Sequence, residues 1–237
     1  MEVNVNGNTK RTAINKGYGD CAMSYELIIF DLDGTLTDPK IGITASHQYA
    51  LAAFGINEEL ENLQKFIGSP IRDVYRNHYD LSESDTERAA AMFNEYFAQT
   101  GIFENEIYPG IPALLQKLKE EGRTLAVATN KAKFYAVKII EYFYLDSYFD
   151  FVSGDELDGS LTKNGKGNVI HIAIDSLDPQ HKMSAAMIGD RQHDMKGAND
   201  NGIVGIGALW GFGSRAELES SGAAALVQSP DELIPLL

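Results

Sequence analysis

From Tyr25 to the C-terminus, short apolar runs alternate with segments of helical periodicity. Continuous apolar runs of this length are typical of strands that are buried on both faces of a sheet. The predicted strands cover residues 26–33, 124–130, 149–154, 185–190, 204–209 and 224–229. The predicted helices between them cover residues 111–121, 133–143, 166–176, 194–201 and 215–221. This alternation predicts an α/β fold in which helices cover both faces of a parallel, Rossmann-like sheet.

Residues 44–101 interrupt the alternation, because they carry helical patterns and no convincing strand. The first of these helices is predicted to begin at an N-cap Thr44 and to stop at Gly55. The last is predicted to begin at an N-cap Ser82, ahead of a stripe of apolar residues. The pattern therefore predicts a small all-helical cap domain that is inserted after the first strand of a larger α/β core.

The predicted organisation comprises an extension, a core in two segments, and the inserted cap. Their ranges are 1–24 for the polar N-terminal extension, 25–43 and 102–237 for the core, and 44–101 for the cap. The cap is joined to the core by residues 38–43 and 101–110. Because these two connections are expected to run side by side, they are predicted to form a hinge between the cap and the core.

The composition indicates a globular protein in water, with 44% hydrophobic and 23% charged residues. A formal net charge of -14 argues against a nucleic-acid polymer or an anionic membrane as partner. A small anionic substrate stays compatible, because a cleft with a bound metal ion can be locally positive. No apolar run approaches the roughly 20 residues that span a bilayer. Cys21 is the single cysteine, which favours a cytoplasmic location; a monomer and a homodimer both remain open.

Polar side chains stand at the carboxyl ends of the predicted strands, where ligands bind in open parallel sheets. The candidates are Asp31, Asp33, Gly34 and Thr35 after the first strand, Thr129, Asn130 and Lys131 after the second, and Asp190, Arg191 and Asp194 after the fourth. Lys163 and Lys166 lie near the start of the helix that follows the third strand. Residues of these types, brought together in one sheet, suit phosphoryl transfer.

Two carboxylates follow the first strand, and a turn at Gly34 would bring both of them around one pocket. One carboxylate can attack phosphorus, while the other protonates the leaving alkoxide and later deprotonates the attacking water. Mg²⁺ prefers hard oxygen ligands, which Asp31 and Asp190 offer. A lysine and a hydroxyl group would stabilise the remaining phosphoryl oxygens.

Three segments resemble the sequence motifs of one family. FDLDGTLTD (30–38) resembles the DxDGT motif of the haloacid dehalogenase superfamily phosphatases, VATNK (127–131) resembles its second motif, and MIGDRQHDMKGA (187–198) its fourth. The resemblance covers residues 25–237, including the position of the helical cap. YPGIPALLQKLKEEG and GALWGFGSRAEL are similar to the phosphoglycolate phosphatase and 5′-nucleotidase-like branch.

The resemblance implies a HAD-like core and a Mg²⁺-dependent phosphatase that acts through an aspartyl-phosphate. Asp31 would be the nucleophile and a metal ligand, and Asp33 the general acid/base, with its backbone carbonyl on the metal. Asp190 would be the second carboxylate ligand. The substrate would be a small phosphate ester, such as phosphoglycolate or a nucleoside 5′-monophosphate.

The remaining assignments concern the phosphoryl group. Thr129 and the N–H of Asn130 would hold it, together with the turn at Gly34. Lys166 is preferred to Lys163 as the lysine of the third motif, because KGNVIHIAI resembles the lysine-led helix start of the family. Asp194 would act on a metal-bound water or orient the lysine.

Substrate specificity is expected to lie in the cap. Arg72 follows a Gly-Ser-Pro turn, and it would either bind a substrate carboxylate or form a surface salt bridge. Lys131 and Arg191 are interpreted as exposed or paired charges of small energetic weight. His193 is the histidine nearest to the predicted site.

Other functions fit less well. A haloalkanoate dehalogenase needs neither Asp33 nor Asp190, and a phosphonatase needs a cap lysine, for which Lys65 is the sole candidate. A β-phosphoglucomutase-like phosphotransferase would keep all the predicted residues. A non-catalytic phospho-aspartate signalling domain is a further alternative, which Asp33 argues against because it promotes hydrolysis of the phospho-enzyme.

Overall fold

A computed structural model describes residues 24–237 of the chain. The predicted extension, residues 1–24, lies outside the described residues except for its last position. Within the described part, no helix is both long enough and apolar enough to cross a membrane.

The strands alternate with helices along the core, as the apolar pattern predicts. The strands are β1 (Leu27–Phe30), β2 (Thr37–Asp38), β3 (Glu106–Ile107), β4 (Thr124–Ala132), β5 (Phe151–Asp155), β6 (Ala185–Gly189), β7 (Val204–Ala208) and β8 (Ala225–Val227). The helices are α1 (Lys40–Ala52), α2 (Leu60–Leu63), α3 (Ile71–Asn77), α4 (Glu83–Gln99), α5 (Ile111–Glu120), α6 (Lys133–Tyr142), α7 (Gly167–Leu177), α8 (Gln192–Asp200) and α9 (Arg215–Ser220). Short 3₁₀ helices cover Gln64–Phe66, Gly101–Phe103, Asp146–Tyr148 and Pro230–Leu236.

Six parallel strands form the main sheet, in the order β5-β4-β1-β6-β7-β8. β1 is central, and its first residue, Leu27, pairs with Thr124 on one side and with Ala185 on the other. The carboxyl ends of β4, β1 and β6 are therefore neighbours at one edge of the sheet. The predicted α/β, Rossmann-like fold class is confirmed.

The side chains of β1 alternate between two hydrophobic clusters, one on each face of the sheet. Ile28 and Phe30 belong to the cluster that includes buried residues of α5 and α6. Leu27 and Ile29 belong to the cluster that includes buried residues of α7. All four side chains are fully buried, which explains why the strand reads as a continuous apolar run. Each such burial stabilises the fold by about 1.5–3 kcal/mol.

Helices α1–α4 occupy the interval that was predicted to be all-helical. Ser82 is the N-cap of α4, as predicted, and its hydroxyl oxygen accepts a hydrogen bond from the backbone N–H of Asp85. The buried face of α4 carries Ala89, Phe93 and Phe97, and this face includes most of the predicted apolar stripe. Tertiary packing of this face stabilises the helix.

The predicted start of the first cap helix at Thr44 is wrong. α1 begins at Lys40, after Pro39, and the carboxylate of Asp38 accepts a hydrogen bond from the Lys40 backbone N–H. Thr44 lies inside the helix, and its hydroxyl donates to the Lys40 carbonyl. Proline restricts φ to helical values, and the preceding aspartate satisfies a free N–H, so this pair starts the helix earlier.

The two segments that connect core and cap contact each other. β2 and β3 pair in antiparallel orientation, with Thr37 opposite Ile107. Beyond this ribbon Gly42 lies against Gly101, and a Cβ on Gly42 would be 2.0 Å from the Gly101 carbonyl oxygen. The predicted side-by-side arrangement of the connections is therefore present, whereas a hinge motion and the domain boundaries stay predictions.

Candidate active site

Most of the predicted site residues line one cavity of about 500 Å³ at the carboxyl ends of β1 and β4, whereas Gly34 and Asp190 are not among its lining residues. Its wall includes Asp31 and Asp33 from the turn after β1, Thr129 from β4, and Lys166 and Asp194 from the starts of α7 and α8. The central position of β1 brings these residues together, because segments that leave neighbouring parallel strands meet at the same edge.

The turn after β1 directs both of its carboxylates to the cavity. Leu32 between them is fully buried, and its carbonyl accepts hydrogen bonds from the N–H groups of Leu36 and Thr37. Gly34 has φ +87°, and a Cβ on it would lie 2.2 Å from Oδ2 of Asp190. A glycine is therefore required here, both for its backbone conformation and for the close approach of the Asp190 carboxylate.

Lys166 joins two carboxylates. Its Nζ lies 2.6 Å from Oδ1 of Asp31 and 2.5 Å from Oδ1 of Asp194, and all three side chains are buried. The other oxygen of Asp194 accepts a hydrogen bond of 2.9 Å from the Arg191 backbone N–H. Lys163, the alternative candidate, lines the cavity as an exposed side chain. The geometry thus favours Lys166.

Three buried carboxylates lie close together near this lysine. Ligand oxygens of Asp31, Asp190 and Asp194 lie within 4.8 Å of one another. Oδ2 of Asp190 accepts a hydrogen bond of 2.7 Å from the Phe212 backbone N–H. Oδ1 of Asp190 is buried and has no hydrogen-bond partner. A buried carboxylate oxygen without a partner is costly, so this cluster has the donor set of a site for a hard divalent cation.

The electrostatics of the cluster agree with its donor set. Burial, reinforced by the charge of Asp194 and opposed by Lys166, raises the pKa of Asp31 to about 6. Burial and the charges of Asp194 and Asp31 raise the pKa of Asp190 well above its ordinary value. Burial acts against the charged form of Lys166, but the two carboxylates outweigh it and raise the pKa of the ammonium group. One lysine therefore leaves the cluster with excess negative charge, which a cation would neutralise.

Thr129 and Asn130 both line the cavity at the end of β4. The Thr129 hydroxyl is buried and accepts a hydrogen bond of 3.2 Å from the Lys131 backbone N–H. Oδ1 of Asn130 is buried without a hydrogen-bond partner. Both residues thus line the same cavity as Asp31 and Asp194, and the predicted contact of the Thr129 side chain and the Asn130 N–H with a phosphoryl group stays a prediction.

The side chain of Lys131 is buried and forms an ion pair with Asp33. Its Nζ lies 2.9 Å from Oδ2 of Asp33, and the two side chains are only 8% and 10% exposed. The same ammonium group lies 4.3 Å from the centre of the Phe97 ring, on cap helix α4. Burial raises the pKa of Asp33, and the charge of Lys131 partly opposes that shift. Of the two interpretations of Lys131, exposed or paired, the paired one is present, and because the pair is buried, removal of one partner would leave an uncompensated charge.

Arg191 is likewise a paired charge, as one of its two interpretations expects, and it is partly buried. Its side chain is 16% exposed, and its Nε lies 2.8 Å from Oε1 of Glu217 on α9. Its Nη1 donates a hydrogen bond of 2.6 Å to the carbonyl oxygen of Ile67 in the cap. His193 lines the cavity, and burial lowers its pKa.

The cap contributes an aromatic wall to the cavity. The aromatic side chains that line it are His47, Phe66, Phe93 and Phe97. The centres of the His47 and Phe93 rings are 4.7 Å apart. Arg72 lines it too, but its Nε and Nη2 donate to the two oxygens of Glu87, at 2.7 and 3.0 Å. Of the two interpretations of Arg72, the salt bridge is present.

Asp31, Lys166 and Asp194 are joined at the carboxyl edge of a parallel α/β sheet, which is the arrangement that the sequence predicts for an enzyme of phosphoryl transfer. The family model described as haloacid dehalogenase-like hydrolase matches residues 28–208. The chain belongs to this family, and the predicted resemblance is confirmed.

Its relatives have phosphatase and kinase names. The chain is 44% identical over 204 residues to a 5′-nucleotidase of Pseudomonas aeruginosa, with 85% of this chain and 90% of the relative covered. It is 37% identical to the tyrosine-protein kinase PtkA of Mycobacterium tuberculosis, with 80% and 64% covered. It is 27% identical to a phosphoglycolate phosphatase of Aquifex aeolicus, with 89% and 96% covered.

A crystal structure of a predicted phosphatase from Clostridium acetobutylicum has the same fold. Its TM-score is 0.82 at 43% identity, and the alignment covers 88% of this chain and 96% of that one. Together with the family match, the relatives with phosphatase names identify the chain as a phosphatase.

Proposed function

We propose that the protein is a Mg²⁺-dependent phosphatase that hydrolyses small phosphate monoesters through an aspartyl-phosphate on Asp31. The observation that carries this proposal is the contact of Lys166 with both Asp31 and Asp194 at the base of the cavity. A lysine in this position neutralises the nucleophile in the resting site and can bind phosphoryl oxygens during transfer.

Asp31, Asp190 and the backbone carbonyl of Asp33 would hold the metal ion. The fit is supported by the unpartnered Oδ1 of Asp190 and by the excess negative charge of the cluster. When bound, Mg²⁺ reduces the repulsion between an anionic nucleophile and an anionic ester.

The protein residues supply the chemical steps. A carboxylate oxygen of Asp31 forms a bond to phosphorus while the bond from phosphorus to the ester oxygen breaks, and Asp33 donates a proton to that oxygen. Asp33 then takes a proton from water, whose oxygen attacks phosphorus and releases phosphate and free Asp31. Lys166, the Thr129 hydroxyl and the Asn130 N–H hold the phosphoryl oxygens, on which negative charge develops.

The cap wall favours a nucleoside 5′-monophosphate over phosphoglycolate as substrate. Phe66 and Phe93 line the cavity, and stacking on an aromatic ring stabilises a bound base by about 1–3 kcal/mol. A cavity of about 500 Å³ lies within the range of about 300–1,000 Å³ that is usual for ligands of this size. Phosphoglycolate would need a cation for its carboxylate, and the cap arginine Arg72 is already paired with Glu87, so this role would fall to Lys163 of the core.

The proposal is tested by measuring phosphate release from nucleoside 5′-monophosphates, phosphoglycolate and sugar phosphates. Activity should require Mg²⁺ and stop with EDTA. Asp31→Asn should lower kcat at least about a thousand-fold, which is about 4 kcal/mol of barrier. Asp178→Asn is the matched control, because Asp178 is a buried carboxylate that does not line the cavity.

Other outcomes would contradict the proposal. Appreciable activity of a folded Asp31→Asn variant would remove Asp31 as the nucleophile. A phospho-enzyme that persists would favour the signalling domain, and production of a sugar phosphate isomer would favour the phosphotransferase.

The cytoplasmic location, the cap as an independent domain, and the oligomeric state stay predictions.

A further inference from the structure

Arg191 connects the core to the cap. Its guanidinium group donates through Nη1 to the Ile67 carbonyl oxygen at 2.6 Å and pairs through Nε with Glu217 at 2.8 Å. Glu217 is fixed in turn, since its Oε1 also accepts a hydrogen bond of 2.9 Å from the Gln192 backbone N–H at the start of α8. Arg191 is therefore held by the core while it binds the cap.

The cap group that Arg191 binds belongs to the turn before α3. Ile67 is fully buried, and Gly68 follows it with φ +81°. Gly68, Ser69 and Pro70 line the same cavity as Asp31. The position of the Ile67 carbonyl thus affects the part of the cavity wall that Gly68, Ser69 and Pro70 form.

Arginine suits this contact better than lysine would. Its planar group has several N–H donors in fixed directions, so it can bind a carboxylate on one side and a carbonyl on the other. A single ammonium group at the end of a flexible chain cannot reproduce both contacts with the same geometry.

The same residue is also attached to the carboxylate cluster. Arg191 directly follows Asp190 in the chain, and its backbone N–H donates to Oδ2 of Asp194 at 2.9 Å. A cap turn that is bound to this side chain is positioned relative to the residues that hold the phosphoryl group.

We propose that Arg191 is a positioning residue that docks the cap turn 67–70 onto the core and thereby sets which leaving groups the cavity accepts. The selectivity part of this proposal rests on the proposed phosphatase function. The docking part does not, because it concerns a contact between cap and core alone.

The selectivity test compares kcat/KM for a nucleoside 5′-monophosphate, whose leaving group must contact the cap wall, with kcat/KM for acetyl phosphate, whose leaving group is small. Arg191→Ala should lower the ratio of the two values at least ten-fold, which corresponds to about 1.4 kcal/mol. Arg191→Lys should give a smaller decrease. Arg215→Ala is the control, because Arg215 forms an exposed pair with Glu219, and its ratio should not change. An equal decrease for both substrates in the Arg191 variants would overturn the selectivity role.

The docking test follows hydrogen exchange of the Ser69 backbone amide, which donates to the Phe66 carbonyl at 3.0 Å. Arg191→Ala should accelerate its exchange at least ten-fold relative to amides in the middle of α4, and Arg215→Ala should leave it unchanged. Unchanged exchange in Arg191→Ala would refute docking. If the alanine variant does not fold, Arg191→Lys supplies both measurements. If the wild-type protein cleaves neither substrate, the proposed function fails while the exchange experiment still decides the docking role.

Discussion

Replacing Asp190 by asparagine should stabilise the metal-free protein and abolish its response to Mg²⁺. Asp190 is fully buried, its Oδ1 has no partner, and its carboxylate lies within 4.8 Å of those of Asp31 and Asp194. Asparagine has the same shape, keeps an oxygen for the Phe212 N–H, and removes the charge. Two unit charges at 4.8 Å repel by about 3.5 kcal/mol at an effective dielectric constant of about 20. We therefore expect a gain of about 2–4 kcal/mol at pH 8.

The difference in the free energy of unfolding between the variant and the wild type should depend on pH in a direction that can be checked. The pKa of Asp190 is raised in the folded protein, so the folded state binds more protons than the unfolded chain above the ordinary value of 3.8. The contribution of Asp190 to the free energy of unfolding is thus favourable below pH 3.8, and it is lost as the pH rises through the pKa of Asp190 in the folded protein. The advantage of the variant should be small near pH 4 and largest at pH 8.

The assay is urea unfolding in EDTA at several pH values, repeated with Mg²⁺. Asp155→Asn is a control of opposite sign, because the buried Asp155 carboxylate accepts hydrogen bonds from the N–H groups of Glu156 and Leu161 and from Thr162. That variant should lose stability at pH 8. The reasoning is refuted if Asp190→Asn is less stable than the wild type at pH 8 without metal, or if Mg²⁺ stabilises it as much as the wild type.

Two further substitutions test the other buried charges. Lys131→Met should lower phosphatase kcat/KM at least about ten-fold and the free energy of unfolding by about 1–3 kcal/mol, because Asp33 loses its buried partner. Lys131→Arg should recover part of the activity. A fully active methionine variant would contradict the role of the pair. His47→Gln should flatten the acid limb of the stability curve. Burial lowers the pKa of His47 to about 3, so its contribution is complete above pH 6.5 and is lost as the pH falls, by about 2 kcal/mol at pH 5. Parallel urea midpoints of variant and wild type between pH 7 and 5 would exclude His47 as the cause.

Much of the core could be predicted because its signals are local. The apolar run of β1 stops at Asp31, and the glycine at position 34 reverses the chain in a way that side chains rarely allow. The strand ends that carry Thr129 and Asp190 were found for the same reason. Where the prediction failed, at the start of α1, the signal was also local: the pair Asp38 and Pro39 was not recognised as a helix start.

The partners of the long charged side chains required the tertiary structure. Lys131 and Arg191 follow strand ends in the sequence, but nothing near them identifies Asp33 or the Ile67 carbonyl as their partners. An irregularity in the pairing of β4 with β5, between Thr129 and Ala132, includes the position of Lys131. Burial of these charges is a property of the assembled core and cap, and no local pattern encodes it.

By itself, therefore, the sequence determined the order of the elements, the family, and the residues Asp31, Asp33 and Asp190 at the strand ends, because apolar periodicity and short motifs depend on neighbouring residues. Only the tertiary structure decided that Lys166 joins Asp31 to Asp194, that Arg72 is bound by Glu87, and that Arg191 spans core and cap. These contacts join residues that are not neighbours in the chain, and the strength of the buried ones, at Lys166 and Arg191, comes from the exclusion of water, which exists only once the layers have packed.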